Sequence, residues 1–314
     1  MLLSKPLDGE LISGYSGRLR VLNGYANMKR TWRALSDFHK KPMYLTHLLA
    51  MSAQLDIVDI TLNHSLLPYR RCSTPTVTYF IDEFKNPNYI DYNIFRTSGI
   101  NPGFCRNCIQ QDLSKHGYSY WRREHQVPGI DWCPEHEEPL QRTSDPNAFE
   151  NLPIDFLNSQ NFATEQIEQR PEAGSLVDRY IKISLALINN PIPILGRSNI
   201  RKLREYVEQL DAGIDFIHNK NGVPISTLVA ERYPRNWLKR LCPDFETRRD
   251  NVWFDPIDNS LITGAYTEMF ILFVTMLFDN DDDALGFFKN RTRLDQLESV
   301  HYHNHKPSSV KRKY

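Results

Sequence analysis

The feature that most constrains this chain is a set of four candidate metal ligands within a short segment. The segment FCRNC places Cys105 and Cys108 two residues apart, and the segment DWCPEH places Cys133 and His136 at the same spacing. A turn with this spacing presents two donor atoms on one side of a tight loop, and two such turns complete a tetrahedral site. Because thiolate and imidazole donors favour zinc over the hard cations, the pattern predicts one zinc ion.

Four protein ligands leave zinc no open position for water or substrate, so the predicted ion is structural rather than catalytic. Two alternatives stay open. The cysteines could be ordinary buried thiols. His116 or His125, which lie inside the same segment, could also replace one of the ligands. Cys72 and Cys242 have no such companions, and we expect them to be ordinary buried thiols.

The composition is that of a folded protein, with 40% hydrophobic residues and 38 basic against 38 acidic residues. This balance argues against a uniformly basic coat for binding nucleic acid, but it allows local basic patches. The opening residues lack the apolar stretch of a secretory signal, and the longest apolar run, 269–278, is about half of a membrane span. We therefore expect no membrane association, a reducing cytoplasmic location and no disulfide framework.

Apolar periodicity predicts a mainly α fold, with helical and helix-turn-helix modules around a single structural zinc finger. Residues 1–72 form an N-terminal helical, helix-turn-helix-like region, and residues 73–142 form the zinc-finger region. A polar, proline-punctuated linker follows at 143–174. Residues 175–300 form a second helical, helix-turn-helix-like domain, and 301–314 form a basic tail.

Two short predicted helices, ISTLVAER (225–232) and NWLKRL (236–241), are separated only by YPR and fit a helix-turn-helix. Cations on and after the second helix could reach phosphates or base edges in a major groove, although a solvated helix face explains the same pattern. The candidate DNA contacts in this region are Arg232, Arg235, Lys239, Arg240, Arg248 and Arg249.

Inside the predicted finger, Tyr120 and Trp121 are expected to pack a small core around the metal. The adjacent Arg122 and Arg123 are further candidates for phosphate contacts. A solvated pair of arginines balanced by Glu124 is the alternative explanation.

Three other polar features favour structural explanations. His64 precedes an apolar SLLPY segment, which indicates a packed or helix-capping histidine. The acidic run 279–283 lacks the glycine and the distal glutamate of a calcium loop, and it is typical of the start of a helix. The HYHNH segment at 301–305 has no carboxylate partner for a metal or nuclease site.

Three segments, in this order, resemble the TniQ/TnsD family, the target-selection proteins of Tn-type DNA transposons. The opening GELISGYSGRLRVLNGY is similar to the family pattern G-E-S-L-x-S-x-x-x-R-L-x-x-x-N-G, and NHSLLPY is similar to H-T-L-x-P. The finger is similar to the family's C-P-x-C and C-P-x-H pattern, with Arg106 in place of the usual proline. The resemblance is strong over about 8–142 and weak over 175–280.

The resemblance implies a non-enzymatic protein that recognises an insertion site on double-stranded DNA and recruits the AAA+ ATPase TnsC. The alternative within the family is an adaptor that links a guide-RNA Cascade complex to TnsC without recognising DNA itself. The second cysteine ribbon of many Cascade-riding members is missing, and so is the extra length of many direct DNA binders. The chain is thus expected to be a short or a truncated member. A homodimer and a location at the bacterial nucleoid are compatible with both modes.

Two other classes of protein deserve a test. A zinc nuclease would need a nucleophile and base or a carboxylate cluster near the finger, and the sequence suggests neither. A stand-alone transcription regulator would control a promoter without any transposon partner. We therefore expect that the chain is not an enzyme.

Overall fold

Helices make up most of the described part of the chain. The computed structural model describes residues 1–40, 44–70, 94–95, 101–158, 162–163, 170–189, 205–206, 225–242, 245 and 267–289. The helices are α1 (Ile12–Leu22), α2 (Met28–His39), α3 (Leu45–Ala53), α4 (Ile57–His64), α5 (Leu67–Arg70), α6 (Arg106–His116), α7 (Leu176–Ile188), α8 (Ile225–Arg232), α9 (Arg235–Leu241), α10 (Thr267–Leu277) and α11 (Asp281–Lys289). The predicted mainly α class is confirmed.

A small antiparallel sheet accompanies the helices. Its strands are β1 (Gly103–Phe104), β2 (Gln141–Arg142) and β3 (Phe162–Ala163), in the order β1-β2-β3. Gly103 pairs with Arg142, and Gln141 pairs with Ala163. The sheet joins the chain before the first cysteine pair to the chain after the second pair, so it closes the finger at its base.

The first helix follows the predicted apolar periodicity. Leu11, Tyr15 and Leu19 recur every four residues and are all buried. The helix ends at Leu22, with Asn23 as its C-cap, and Gly24 takes a positive φ of 66°, a conformation that glycine adopts without strain.

Helices α3 and α4 have the geometry of a helix-turn-helix. They meet at 94° across the three residues from Gln54 to Asp56. Gln54 is left-handed with φ 55°, and the Asp56 side chain accepts the Val58 N–H at 2.6 Å, which fixes the start of α4. Among the described residues, no single helix is long and apolar enough to cross a membrane; only this bent pair, taken together, reaches that length and composition.

The described apolar side chains form two buried clusters. The smaller one lies among α1 to α4 and includes Tyr15, Leu35 and Ile60. The larger one joins the finger to α7–α11. In α10 most apolar side chains are buried, so the apolar run that begins at residue 269 forms a core helix.

A side-chain cap fixes the start of α7. The Ser175 hydroxyl accepts the Asp178 N–H, and the helix ends at Ile188 before Asn189. Within the predicted linker, Ala148 and Phe156 are buried against the larger cluster.

Several predicted features lie outside the described residues. They are the tail 301–314, Cys72, Arg248 and Arg249. Cys242, predicted to be a buried thiol like Cys72, is described and is only half-buried.

Candidate metal centre and nucleic-acid surface

The two predicted ligand pairs lie on turns that are built in the same way. Cys105 caps the start of α6, and its sulfur accepts the Cys108 N–H at 3.3 Å. The Cys133 sulfur accepts the His136 N–H at 3.4 Å. Backbone N–H groups that point at sulfur favour the thiolate form, which is the form that binds a metal. Each short spacing therefore folds into a preorganised pair of ligands.

The structure brings the four predicted ligands together. The Nδ1 atom of His136 lies 3.3 to 3.6 Å from the sulfur atoms of all three cysteines. The Cys108 and Cys133 sulfurs are 3.6 Å apart, and all four donor atoms lie within 4.8 Å of one another. Zinc bonded at about 2.3 Å to sulfur and about 2.0 Å to nitrogen holds its tetrahedral ligand atoms about 3.5 to 3.8 Å apart. The donor set thus fits a single metal ion.

Acidic and neutral hydrogen-bonding groups surround the cluster. Hydrogen bonds from Cys105 and Cys108 lower the pKa of the Cys133 thiol. Glu138 bridges the two turns, because its carboxylate accepts the backbone and side-chain N–H groups of Asn107 at 3.1 and 3.0 Å. One oxygen of the same carboxylate lies 2.8 Å from the Cys105 sulfur.

The two alternative histidines take different places. His125 is buried beside the cluster, with Nε2 3.9 Å from the Cys108 sulfur. His116 is partly exposed at the end of α6 and stacks on Tyr118 with ring centroids 6.2 Å apart. Neither belongs to the group of four that converge within metal-binding distance.

Arg122, a predicted phosphate contact, has intramolecular partners next to the cluster. It donates to Asp112 at 2.9 Å and pairs with Glu135 at 3.3 Å, and its guanidinium lies 5.0 Å from the centre of the Tyr120 ring. Burial raises the pKa of Asp112 to about 6, even though Arg122 opposes the shift. About 22% of the Arg122 side chain is exposed. Nothing in the described structure tests its contact with DNA, which stays a prediction.

Arg123, the second predicted contact in the finger, is buried with 6% exposure. It donates to the Leu62 carbonyl at 2.6 Å and to the Asn189 side-chain oxygen at 2.7 Å. It therefore ties the finger to α4 and to the end of α7. Burial lowers the pKa of its guanidinium. For Arg123 too, a phosphate contact stays a prediction, and its side chain has protein partners.

Sequence reasoning missed a buried ion pair that connects the opening segment to the finger. Glu10 and Arg18 are fully buried and form a two-point ion pair at 2.7 and 2.8 Å. Arg18 also donates to the Tyr118 hydroxyl at 3.2 Å, and His64 Nδ1 lies 2.9 Å from the Glu10 carbonyl. The prediction of a packed His64 is confirmed. The opening motif contained a signal for this ion pair, because Glu10 and Arg18 occupy the glutamate and arginine positions of the family pattern.

The cations of α8 and α9 divide into exposed and paired groups. Arg232, Arg235 and Lys239 are exposed. Arg240 pairs with Asp131 of the finger at 3.1 Å. The buried Trp237 donates its indole N–H to the Gly129 carbonyl at 3.1 Å, which fixes α9 against the finger. The predicted short helices are therefore present, and three of their cations point to solvent.

The N-terminal part of the chain, which includes the four clustered ligands, matches a known protein family. A model of the TniQ family matches residues 2–140. The match runs from the opening motif through all four clustered ligands. No curated protein is significantly similar to the chain. Residues 2–140, a little under half of the chain, therefore match the TniQ family, which is associated with DNA transposition.

Proposed function

We propose that this protein selects insertion sites for a DNA transposon by binding double-stranded DNA, and that it recruits a TnsC-type AAA+ ATPase to the chosen site. The observation that carries this proposal is the TniQ match over residues 2–140. In this role the chain is a non-catalytic adaptor at the bacterial nucleoid, in the cytoplasm. The transposition chemistry belongs to its partners, and a homodimer is compatible with the role.

The pair α8–α9 supports the DNA-binding part of the proposal. Arg232, Arg235 and Lys239 are exposed around a two-residue turn between two short helices. Cations at the start and along the second helix of such a pair suit contacts with phosphates and base edges. Arg248 and Arg249 follow α9 in the sequence and extend the same basic segment.

We further propose that the ion bound by Cys105, Cys108, Cys133 and His136 is zinc. Three thiolates and one imidazole favour zinc over cations that prefer oxygen ligands. Because four protein ligands fill a tetrahedral site, this ion stabilises the finger and leaves no position for a substrate. Zinc is therefore the scaffold on which the surrounding helices are arranged.

A specific observation favours the second candidate, an adaptor that depends on a guide-RNA Cascade complex. Arg122, Arg123 and Arg240, three of the six described candidate DNA contacts, are engaged by protein partners. Fewer free cations weaken autonomous DNA binding. An adaptor needs no such binding.

An electrophoretic mobility-shift assay separates the two candidates. The probe is a labelled duplex that carries the chromosomal sequence flanking the transposon insertion. A direct selector shifts the duplex by itself, with strong salt dependence. A guide-dependent adaptor shifts it only when the Cascade complex is added.

Variants make the assay specific. Arg235→Gln with Lys239→Gln is expected to weaken a direct shift, whereas Lys182→Gln serves as the control because this exposed lysine pairs with Asp178 on α7. ATPase recruitment is tested by co-purification with TnsC. A chain that neither shifts DNA under either condition nor retains TnsC contradicts the proposed function.

A further inference from the structure

Helix α2 carries a basic surface that belongs neither to the metal cluster nor to α8–α9. The face turned away from the core presents Lys29, Arg30 and Arg33, all exposed. The opposite face buries Met28, Thr31 and Leu35. This arrangement divides the helix into an apolar side and a cationic side.

None of the three cations takes part in a described ion pair. No described carboxylate forms an ion pair with Lys29, Arg30 or Arg33, whereas Arg122, Arg142, Arg179 and Arg240 are all paired. Asp37, one turn beyond Arg33, is the single acidic residue of α2 and is also exposed. The face therefore carries three cations against one carboxylate, a net positive charge among the described residues.

An exposed aromatic residue lies beside these cations. Trp32 is 41% exposed and lines a cleft of about 320 Å³ between α1, α2 and residues 146–150. An exposed tryptophan next to cations suits a partner that offers negative charge beside C–H groups on which the indole ring can pack. The duplex backbone offers the charge on its phosphates and the C–H groups on its sugars.

The helix also holds the cations in fixed positions. Asn27 caps α2 by accepting the Arg30 N–H at 3.0 Å, and α2 packs against α1 and α3. Lys29 and Arg33 are one turn apart, about 6 Å along the axis. Phosphates of B-form DNA follow one another every 3.4 Å or so per strand along its axis, so a rigid pair at this spacing can meet two of them.

The neighbouring helix-turn-helix does not offer the same chemistry. The exposed side chains of α4 include Asp59 and Asn63, and its one basic residue, His64, is buried. A helix with an exposed carboxylate and no exposed cation repels a phosphate backbone. Within the N-terminal helices, the electrostatics therefore favour α2 rather than α4.

From these observations we propose that the exposed face of α2, formed by Lys29, Arg30, Trp32 and Arg33, binds the phosphate backbone of duplex DNA. The inference rests on the proposed DNA-binding function and adds a second contact surface, remote in sequence from α8–α9. Contacts of this kind orient the protein on the duplex and do not read its sequence.

The test measures the salt dependence of binding by fluorescence anisotropy with a labelled duplex of random sequence. Three proteins are compared: the wild type, the triple variant Lys29→Gln, Arg30→Gln, Arg33→Gln, and a control triple variant Lys115→Gln, Arg170→Gln, Lys182→Gln. The control removes the same charge from other surfaces, where Arg170 and Lys182 already have carboxylate partners. All six positions are exposed, and glutamine retains helix propensity, so both variants should fold.

Each phosphate contact contributes about 0.9 to the slope of log K against log salt concentration. The α2 variant should therefore lose about 2 to 3 from the slope, and the control should keep the wild-type slope. An α2 variant with the wild-type slope overturns the inference, and so does a control that loses as much.

Three further outcomes are informative. If the α2 substitutions weaken binding of a single-stranded oligonucleotide more than binding of the duplex, the assignment to duplex DNA is wrong and unpaired bases are the ligand. If the wild type binds no DNA, the DNA-binding part of the proposed function fails together with this inference. If the wild type binds and the α2 variant binds equally well, only this inference fails.

Discussion

At the scale of single residues, the spacing of the ligands in the sequence determines the geometry of each half of the candidate metal site. Cys105 and Cys133 each accept a backbone N–H from the residue three positions later, so the short spacing in the sequence produces the ligand geometry directly. The cluster is completed by contacts across the finger, where the Cys108 and Cys133 sulfurs lie 3.6 Å apart. Removal of one donor should therefore open the whole site.

We predict that Cys133→Ser releases the metal and lowers the free energy of unfolding by about 4 kcal/mol or more, the range reached when a structural metal is lost. Metal analysis should find about one zinc per wild-type chain and close to none in the variant. Cys242→Ser is the matched control, because Cys242 lies outside the cluster. A wild-type protein that is fully folded without metal would show that the zinc assignment is wrong.

Arg122 is expected to act on the metal site through its neighbours. It holds Asp112 of α6 and Glu135 of the second turn, so it connects the two halves of the cluster. Its positive charge would also compensate the excess negative charge of three thiolates if they bind a divalent ion.

We predict that Arg122→Gln weakens zinc binding about tenfold or more, as do other substitutions of residues that support metal ligands. Competition with a chromophoric chelator measures the affinity. Arg106→Gln is the control, because Arg106 is exposed on the first turn of α6. An unchanged zinc affinity together with weaker DNA binding would instead support the original prediction of a phosphate contact.

At the scale of elements, helix α1 packs so closely against its neighbours that Gly14 and Gly17 have no room for a side chain. A Cβ atom added at Gly14 would lie 2.7 Å from the Cβ of Trp121. One added at Gly17 would lie 1.9 Å from the carbonyl oxygen of Phe149. Because the second obstacle is backbone, it cannot move aside by a change of rotamer.

We predict that Gly17→Ala destabilises the protein by about 1 to 3 kcal/mol, the usual cost of forced overpacking. Gly286→Ala on α11 is the control, since nothing lies within 4 Å of its added Cβ. This control should gain about 0.5 to 1 kcal/mol from helix propensity. Urea unfolding of both variants measures the difference, and equal stabilities would mean that α1 can shift away from Phe149 without cost.

At the scale of the whole molecule, the finger and the C-terminal helices share one core. The Tyr69 hydroxyl bonds the Tyr180 hydroxyl at 2.9 Å, and Trp237 bonds Gly129 at 3.1 Å. Tyr180 and Trp237 are buried in the same cluster as Trp121 of the finger. The described structure thus extends beyond the part that matches the TniQ family.

We predict that a chain ending at residue 158 unfolds at a lower temperature than the full chain and associates through the exposed core. The reason is that it loses the helices that cover Tyr69, Gly129 and their apolar neighbours. Thermal unfolding and size-exclusion chromatography measure both effects. A chain ending at residue 289 keeps every described element and is the control. A monomeric 1–158 chain with the full-length unfolding temperature would show that the N-terminal part is independent.

Local patterns in the sequence were sufficient for the ligand spacing, the helix periodicity and the caps. The donor set of the metal site, the face of α1 and the start of α7 all follow from residues three or four positions apart, because turns and helices are built from such short-range contacts. For the same reason the short helices α8 and α9 could be predicted. The sequence did not show that Arg240 pairs with Asp131 while the other cations of these helices are exposed.

Only the tertiary structure decided which charges have protein partners. Arg123 meets Leu62 and Asn189, which are 61 and 66 residues away, and Arg240 meets Asp131 at a separation of 109. Sequence patterns do not encode such distant pairs, so these arginines could not be told from solvent-exposed ones. Burial and charge compensation depend on the neighbours that folding supplies. The basic face of α2 became a candidate only when the described structure showed no ion pair at its three cations.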